Sequence, residues 1–212
     1  MRFIMAYSGG KDCTLAMDRL IREGHECVAM VILTNLKGTS FNHALPIDII
    51  KQYEACFGIP VEVVRSPELY DFAPLLASAG ELKQRYQPDA VCFGDIFLEG
   101  SRRTNEKFAE AVGAEALFPL WKNDSALMFE ELFERGYTII VKSVDTKKLP
   151  ESLLGRVLDE QCIQAFRDAN IDISGENGEY HTLAIDGPLF AKPLKITPKY
   201  VYRSGSFATL VV

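Results

Sequence analysis

Apolar positions in the first half of the chain alternate between two rhythms. Short apolar or β-branched runs at 3–7, 27–33, 61–64 and 89–95 read as strands, and a shorter run near Leu117 adds a fifth. Between them, segments at about 12–23, 46–57, 69–86 and 101–112 carry helical spacing, the first two closed by Gly24 and Gly58. A polar loop fills 35–42. Strands separated by helices of this length need crossover connections, so the pattern predicts an α/β domain: a five-stranded parallel sheet covered on both faces.

The rhythm changes after "PLW" at 119–121, which sets an expected boundary near Leu120 and two domains, 1–120 and 121–212. The second opens with a helix over 123–135, with Asn123 or Asp124 as N-cap, followed by a strand at 136–144. A stretch broken by Pro150 and Gly155 resumes as a helix. Beyond Gly175 the chain reads as turns and strands, ending in "SFATLVV" as an edge or terminal strand, so this part is a smaller α+β domain.

Composition narrows the partners. A net charge of −6 opposes general attraction to nucleic acid or an anionic membrane surface. The start "MRFIMAYSGG" holds too short an apolar run for a signal peptide, and no stretch approaches about 18 apolar residues, so a cytoplasmic protein is expected. The five cysteines, Cys13, Cys27, Cys56, Cys92 and Cys162, are scattered without a C-x-x-C pair, which indicates neither a disulfide framework nor a zinc site.

The first strand runs into "SGGKD" at 8–12 and then a helix. In an open parallel sheet, ligands bind where strand ends lead into helices. Gly9 and Gly10 allow close backbone approach, the first helical amides are positively polarised, and Lys11 adds a full charge, a combination that suits phosphate. The run matches neither GxxxxGK[ST] nor GxGxxG. A plain glycine turn with a solvated lysine is the alternative.

"SGGKD" resembles the pyrophosphate loop of the N-type ATP pyrophosphatases (the PP-loop superfamily), usually SGG-x-D-S. Further blocks at 94–96 ("GDI"), 102–108 ("RRTNEKF"), 119–121 ("PLW"), 153–159 ("LLGRVLD") and 175–190 ("GENGEYHTLAIDGPLF") resemble the diphthine-ammonia ligase family, in its order and over nearly the whole length. The resemblance implies a parallel sheet of the adenine-nucleotide α-hydrolase-like (HUP) type over 1–120 and a substrate-binding domain over 121–212. It implies a ligase that cuts ATP to AMP and pyrophosphate, adenylates a carboxylate such as diphthine on elongation factor 2 or a related acceptor, and forms the amide with ammonium.

By the same resemblance, Ser8, Gly9, Gly10, Lys11 and Asp12 hold the β- and γ-phosphates with magnesium, and Gly94 and Asp95 lie near the nucleotide. Arg102 is a candidate for neutralising phosphate or substrate carboxylate, with Glu106 one helical turn on to orient it; a surface ion pair is the alternative. In "GENGEYHT", Glu176 and Glu179 are candidate carboxylates for attracting ammonium and taking its proton, Glu179 first, with His181 assisting or positioning substrate. Thr182 and Asp186 read as turn residues, and His25 and His43 as surface residues. Cys13 stands where the motif has serine. Its helical spacing with Ala16, Met17, Leu20 and Ile21 reads as packing, whereas a helix N-terminus beside Lys11 would lower its pKa and favour a nucleophile. A tRNA-thiolating enzyme and an ATP or AMP sensor without turnover remain as alternatives. The metal ligands and the oligomeric state, a homo-oligomer included, are left open.

Overall fold

The structure, a computed structural model, describes residues 1–41, 43–68 and 71–212. The first half comprises β1 (Arg2–Ala6), α1 (Lys11–Arg22), β2 (Glu26–Thr34), α2 (Ile47–Phe57), β3 (Val61–Arg65), α3 (Ala73–Tyr86), β4 (Ala90–Cys92), α4 (Glu99–Val112) and β5 (Glu115–Leu117). All neighbouring strands pair in parallel, in the order β3-β2-β1-β4-β5. The order reverses between β1 and β4, and a sheet of this kind has its crevice at such a reversal. The expected helix over 69–86 begins at Ala73, and its first two positions, 69 and 70, lie outside the described residues.

Each face of this sheet has its own helices. Ile4, Ala29, Val31 and Val91 pack with Leu75, Ala79, Leu82, Phe108 and Val112 of α3 and α4. Phe3, Met5, Met30 and Ile32 point the other way, onto α1 and α2, as strand alternation requires.

The second half comprises α5 (Ser125–Glu134), β6 (Thr138–Asp145), a single 3-10 turn at Glu151–Leu153, α6 (Glu160–Asp168), β7 (Tyr180–Asp186), β8 (Tyr200–Ser204) and β9 (Phe207–Val211). Asp124 caps α5 by accepting from the Ala126 and Leu127 amides. The strands form an antiparallel sheet in the order β7-β6-β9-β8. The terminal strand β9 is therefore an inner strand, and β8 takes the edge.

The hydrophobic core of α1 and α2 continues without a break into α5, α6 and the antiparallel sheet. A polar lock joins the same parts. Asp18 of α1 is fully buried and accepts from Arg22 (2.9 Å), Arg135 (3.0 and 3.1 Å) and the Tyr137 hydroxyl (2.9 Å). Arg19 reaches Glu131 (2.6 Å), Asn123 (2.7 Å) and the Pro119 carbonyl (2.9 Å). Helix α1, whose N-terminus carries "SGGKD", is thereby fixed on both sides. No helix among the described residues is long and apolar enough to cross a membrane.

Candidate active site

A cavity of about 930 Å³ opens at the carboxyl ends of β1, β2 and β4, within the range of nucleotide sites. Val31, Leu33, Phe72, Leu75, Phe93 and Phe108 give it an apolar wall. Ser8, Lys11, Asp12 and Cys13 form the phosphate-loop side, Gly94 and Asp95 enter from the end of β4, and Ser174–Gly178 with Tyr180, His181 and Thr182 close it from the second half of the chain.

The loop is built for close approach. Gly9 has φ +92°, and a Cβ there would lie 2.5 Å from the Tyr53 hydroxyl and 2.9 Å from Leu45. Only glycine satisfies both conditions. Helix α1 has Gly10 as its N-cap, which offers no side chain to the first turn, so the positive end of the helix faces the cavity. Strand β7 braces the loop from behind: the Ala184 amide donates to the Gly9 carbonyl (2.9 Å) and the Lys11 amide to the Thr182 hydroxyl (3.0 Å).

The side chain of Lys11 is occupied elsewhere. Its ammonium is buried, pairs with Asp12 (2.9 Å), donates to the Ser174 carbonyl and lies over the Tyr180 and Phe129 rings at 5.2 and 5.8 Å. Cys13 is 4% exposed and bonds the Gly10 carbonyl (3.1 Å) and Ser8 hydroxyl (3.3 Å). Burial pushes its thiol pKa up, so desolvation outweighs the helix terminus and the sequence expectation of a lowered pKa does not hold.

Two carboxylates face the loop. Burial raises the pKa of Asp12, against the opposing pull of Lys11, and raises that of Asp95, which accepts from Asn105 (2.8 Å) and feels Asp12 nearby. Half-buried anionic oxygens that repel each other favour a bound cation, and a hard ion such as magnesium takes one or two carboxylates together with phosphate oxygens. Among the described residues, no three His, Cys, Asp or Glu side chains gather to hold a metal by themselves. The donor set therefore suits an ion that arrives with a phosphate.

The "GENGEYHT" segment divides its candidates. Glu176 lines the cavity, but its carboxylate accepts from the Ile96 and Phe97 amides, each at 2.8 Å, and so pins the loop after β4. Glu179 is 4% exposed, pairs with Lys148 (3.3 Å), leaves Oε2 without a partner among the described residues and is not part of the cavity lining. His181 does line it, and burial with the nearby Lys11 pushes its pKa down to about 4. Asp172 shapes the turn by accepting from the Ser174 hydroxyl and, at 3.2 and 3.4 Å, from the Ser174 and Glu176 amides. Gly175, at φ +70°, lies under the Tyr180 ring, 2.5 Å from where a Cβ would sit.

Arg102 bonds Glu106 (2.9 Å) and lies against the rings of Phe118 (4.8 Å) and Trp121 (4.6 Å), beside the cavity rather than on its wall. Of the α4 residues that do line it, Ser101, Thr104, Asn105 and Phe108 follow i, i+3, i+4, i+7 spacing, a signal the sequence carried one position away from Arg102, and Gly100 joins them at the start of the helix.

His43, expected at the surface, lines the cavity as well. Its Nδ1 bonds the Thr182 carbonyl at 2.7 Å and its ring lies 5.1 Å from that of His181. A single histidine in a polar loop carries no sequence signal for a partner 139 residues away.

Two family models match the chain: one described as the diphthamide synthase N-terminal domain, over residues 1–116, and one as the diphthamide synthase C-terminal domain, over 124–209. Three similar curated proteins are each named diphthine-ammonia ligase. The one from Schizosaccharomyces pombe is 26% identical over 230 residues, which cover 97% of this chain and 38% of that protein. The one from Rattus norvegicus is 25% identical over 98% of this chain and 88% of its own length. The one from Danio rerio is 27% identical over 98% and 92% respectively.

Proposed function

The chain belongs to the diphthamide synthase family, and from that premise we propose that it is an ATP-dependent ligase that joins ammonia to the carboxylate of diphthine on elongation factor 2. The observation that carries the reading is the composition of one cavity: a helix N-terminus with glycine at its N-cap behind a paired-glycine loop, an apolar wall at the sheet reversal, and the "GENGEYHT" segment closing over both.

A carboxylate resists ammonia because its oxygen is a poor leaving group. In this reading a carboxylate oxygen attacks the α-phosphorus of ATP, the bond to the β-phosphate breaks, and pyrophosphate leaves. Ammonia then attacks the acyl carbon, AMP departs with the electron pair of the C–O bond, and the nitrogen loses a proton. The apolar wall at Val31, Leu33, Phe72, Leu75 and Phe93 takes the adenine. Ser8, Gly9, Gly10 and the amides of α1 that follow Lys11 take the β- and γ-phosphates. Lys11 contributes by holding Asp12 and the Ser174 carbonyl in place.

Asp12 and Asp95 would hold magnesium, whose charge offsets that of the phosphates. Glu176 positions the loop after β4, and Asn105 orients Asp95. A ring nitrogen of His181, neutral and facing the cavity, accepts the proton lost by the ammonia nitrogen. Arg102 keeps a supporting place at the rim through its contacts with the Phe118 and Trp121 rings. A thiolation reading has no comparable support, since Cys13 is packed with a raised pKa.

The test supplies ATP, ammonium and elongation factor 2 carrying diphthine, and measures AMP and pyrophosphate together with amide formation. AMP formation should require the factor, and amide formation should also require ammonium. ATP binding without AMP under all these conditions would favour the sensor instead.

A further inference from the structure

The His43 ring is held in one orientation against the phosphate loop. Its Nδ1 faces the Thr182 carbonyl, which can only accept, so Nδ1 carries the hydrogen and Nε2 keeps its lone pair. The opposite edge, Cε1–Nε2, lies over Gly10: a Cβ built on that glycine would be 2.7 Å from Cε1 and 3.4 Å from Nε2. Gly10 is thus kept bare by the imidazole, at the point where the amides of α1 begin. Among the described residues, no hydrogen bond reaches Nε2. Thr182 ties the two features together, because its carbonyl fixes His43 while its hydroxyl accepts the Lys11 amide of the loop.

We propose that His43 is a pyrophosphate-binding residue, its Nε2 closing the phosphate cradle over Gly10 and taking up a proton from solvent as the polyphosphate arrives. The charged and titratable groups that face the ring are Lys11 on α1, Lys142 on β6 and His181 on β7, all of which oppose a second proton. Desolvation above all, and these groups after it, push the imidazole down to about 3 in the free protein, against the pull of the Thr182 carbonyl. A polyphosphate over the loop supplies the negative charge this surrounding lacks and turns Nε2 into a charged donor. The inference rests on the ATP-binding part of the proposed function and adds to it the residue that distinguishes pyrophosphate from AMP.

The test measures binding of inorganic pyrophosphate, ATP and AMP to the full chain by calorimetry, in buffers of different ionisation enthalpy. Two variants separate the ring's ends. H43N keeps a donor for the Thr182 carbonyl and deletes Nε2, whereas H43Q places an amide nitrogen near the Nε2 position. H43N should weaken pyrophosphate and ATP by about tenfold or more and leave AMP within about twofold, with H43Q recovering part of the loss. Wild-type pyrophosphate binding should take up a proton, and H43N should not. Unaltered pyrophosphate affinity in H43N, a loss shared equally by AMP, or wild-type heats independent of buffer would each overturn the inference. If H43N fails to fold, H43Q and the wild-type proton uptake carry the decision. Wild-type protein that binds no ATP would refute the proposed function and this inference together, whereas intact ATP binding with no effect at His43 refutes the inference alone.

Discussion

Replacing Gly94 by alanine should strain the site from inside. Gly94 follows β4, and a Cβ there would lie 2.7 Å from the Cys13 nitrogen and 3.0 Å from both the Asp12 carbonyl carbon and Cys13 Cα. All three are main-chain atoms of the first turn of α1, so no side-chain rotation relieves the overlap. The helix or the loop must give by about 0.7 Å to restore ordinary contact at 3.4 Å. Overpacking of this kind costs about 1–3 kcal/mol, which lowers the melting temperature of a chain this long by roughly 2–12 °C. The same shift moves Asp95 away from Asp12 and should reduce turnover by roughly tenfold to a hundredfold. Gly80 of α3 is the control, because a Cβ there meets nothing within 4 Å among the described residues. G80A should stabilise by about 0.5–1 kcal/mol by restricting the unfolded chain. Thermal unfolding of wild type, G80A and G94A reads both signs at once. G94A melting at or above wild type, or G80A falling alongside it, would refute the reasoning.

Two other substitutions probe the surroundings of the loop. D18N leaves Arg22, Arg135 and Tyr137 with one neutral acceptor in place of a carboxylate; because both arginines are partly exposed and can return to water, the cost should be about 1–3 kcal/mol in urea unfolding, and an unchanged midpoint would contradict the lock between α1 and the second half. D95N addresses a carboxyl whose folded pKa is raised, so its contribution to stability is complete below the unfolded pKa of about 3.9 and is lost as pH rises through the folded value. Without ligand, D95N should therefore melt higher than wild type at pH near 7 and lose that advantage near pH 3, while magnesium-dependent ATP binding falls; a melting difference that does not change with pH would count against it.

Much of the fold follows from local signals. The alternation of short apolar runs with helical spacing marks all five parallel strands, because the inner strands are buried on both faces and each crossover needs a helix. The position of "SGGKD" at the end of β1 is legible for the same reason. The order of the antiparallel sheet is not, since nothing local in "SFATLVV" states that β9 enters between β6 and β8. The site divides along the same line. Asp12, Gly94, Asp95, Glu176 and His181 line one cavity, and Gly10 lies beneath His43 on its wall. Lys11 turns inward because Ser174, Tyr180 and Phe129 come from elements far along the chain, and the Cys13 thiol answers to burial that its neighbours in sequence do not reveal. Glu179 is directed to Lys148 by the pairing of the Asp145 amide with its carbonyl, and His43 reaches the loop through Thr182. In each case the deciding partner is distant in sequence.

The central claim is that ATP is cut at the α-phosphorus by a substrate carboxylate before ammonia enters. The most direct measurement gives the protein ATP, ammonium and diphthine-bearing elongation factor 2 whose carboxylate carries a heavy-oxygen label. Attack by that carboxylate transfers one labelled oxygen to AMP and leaves the other in the new amide. Unlabelled AMP, or label found in inorganic phosphate alongside ADP, would contradict it.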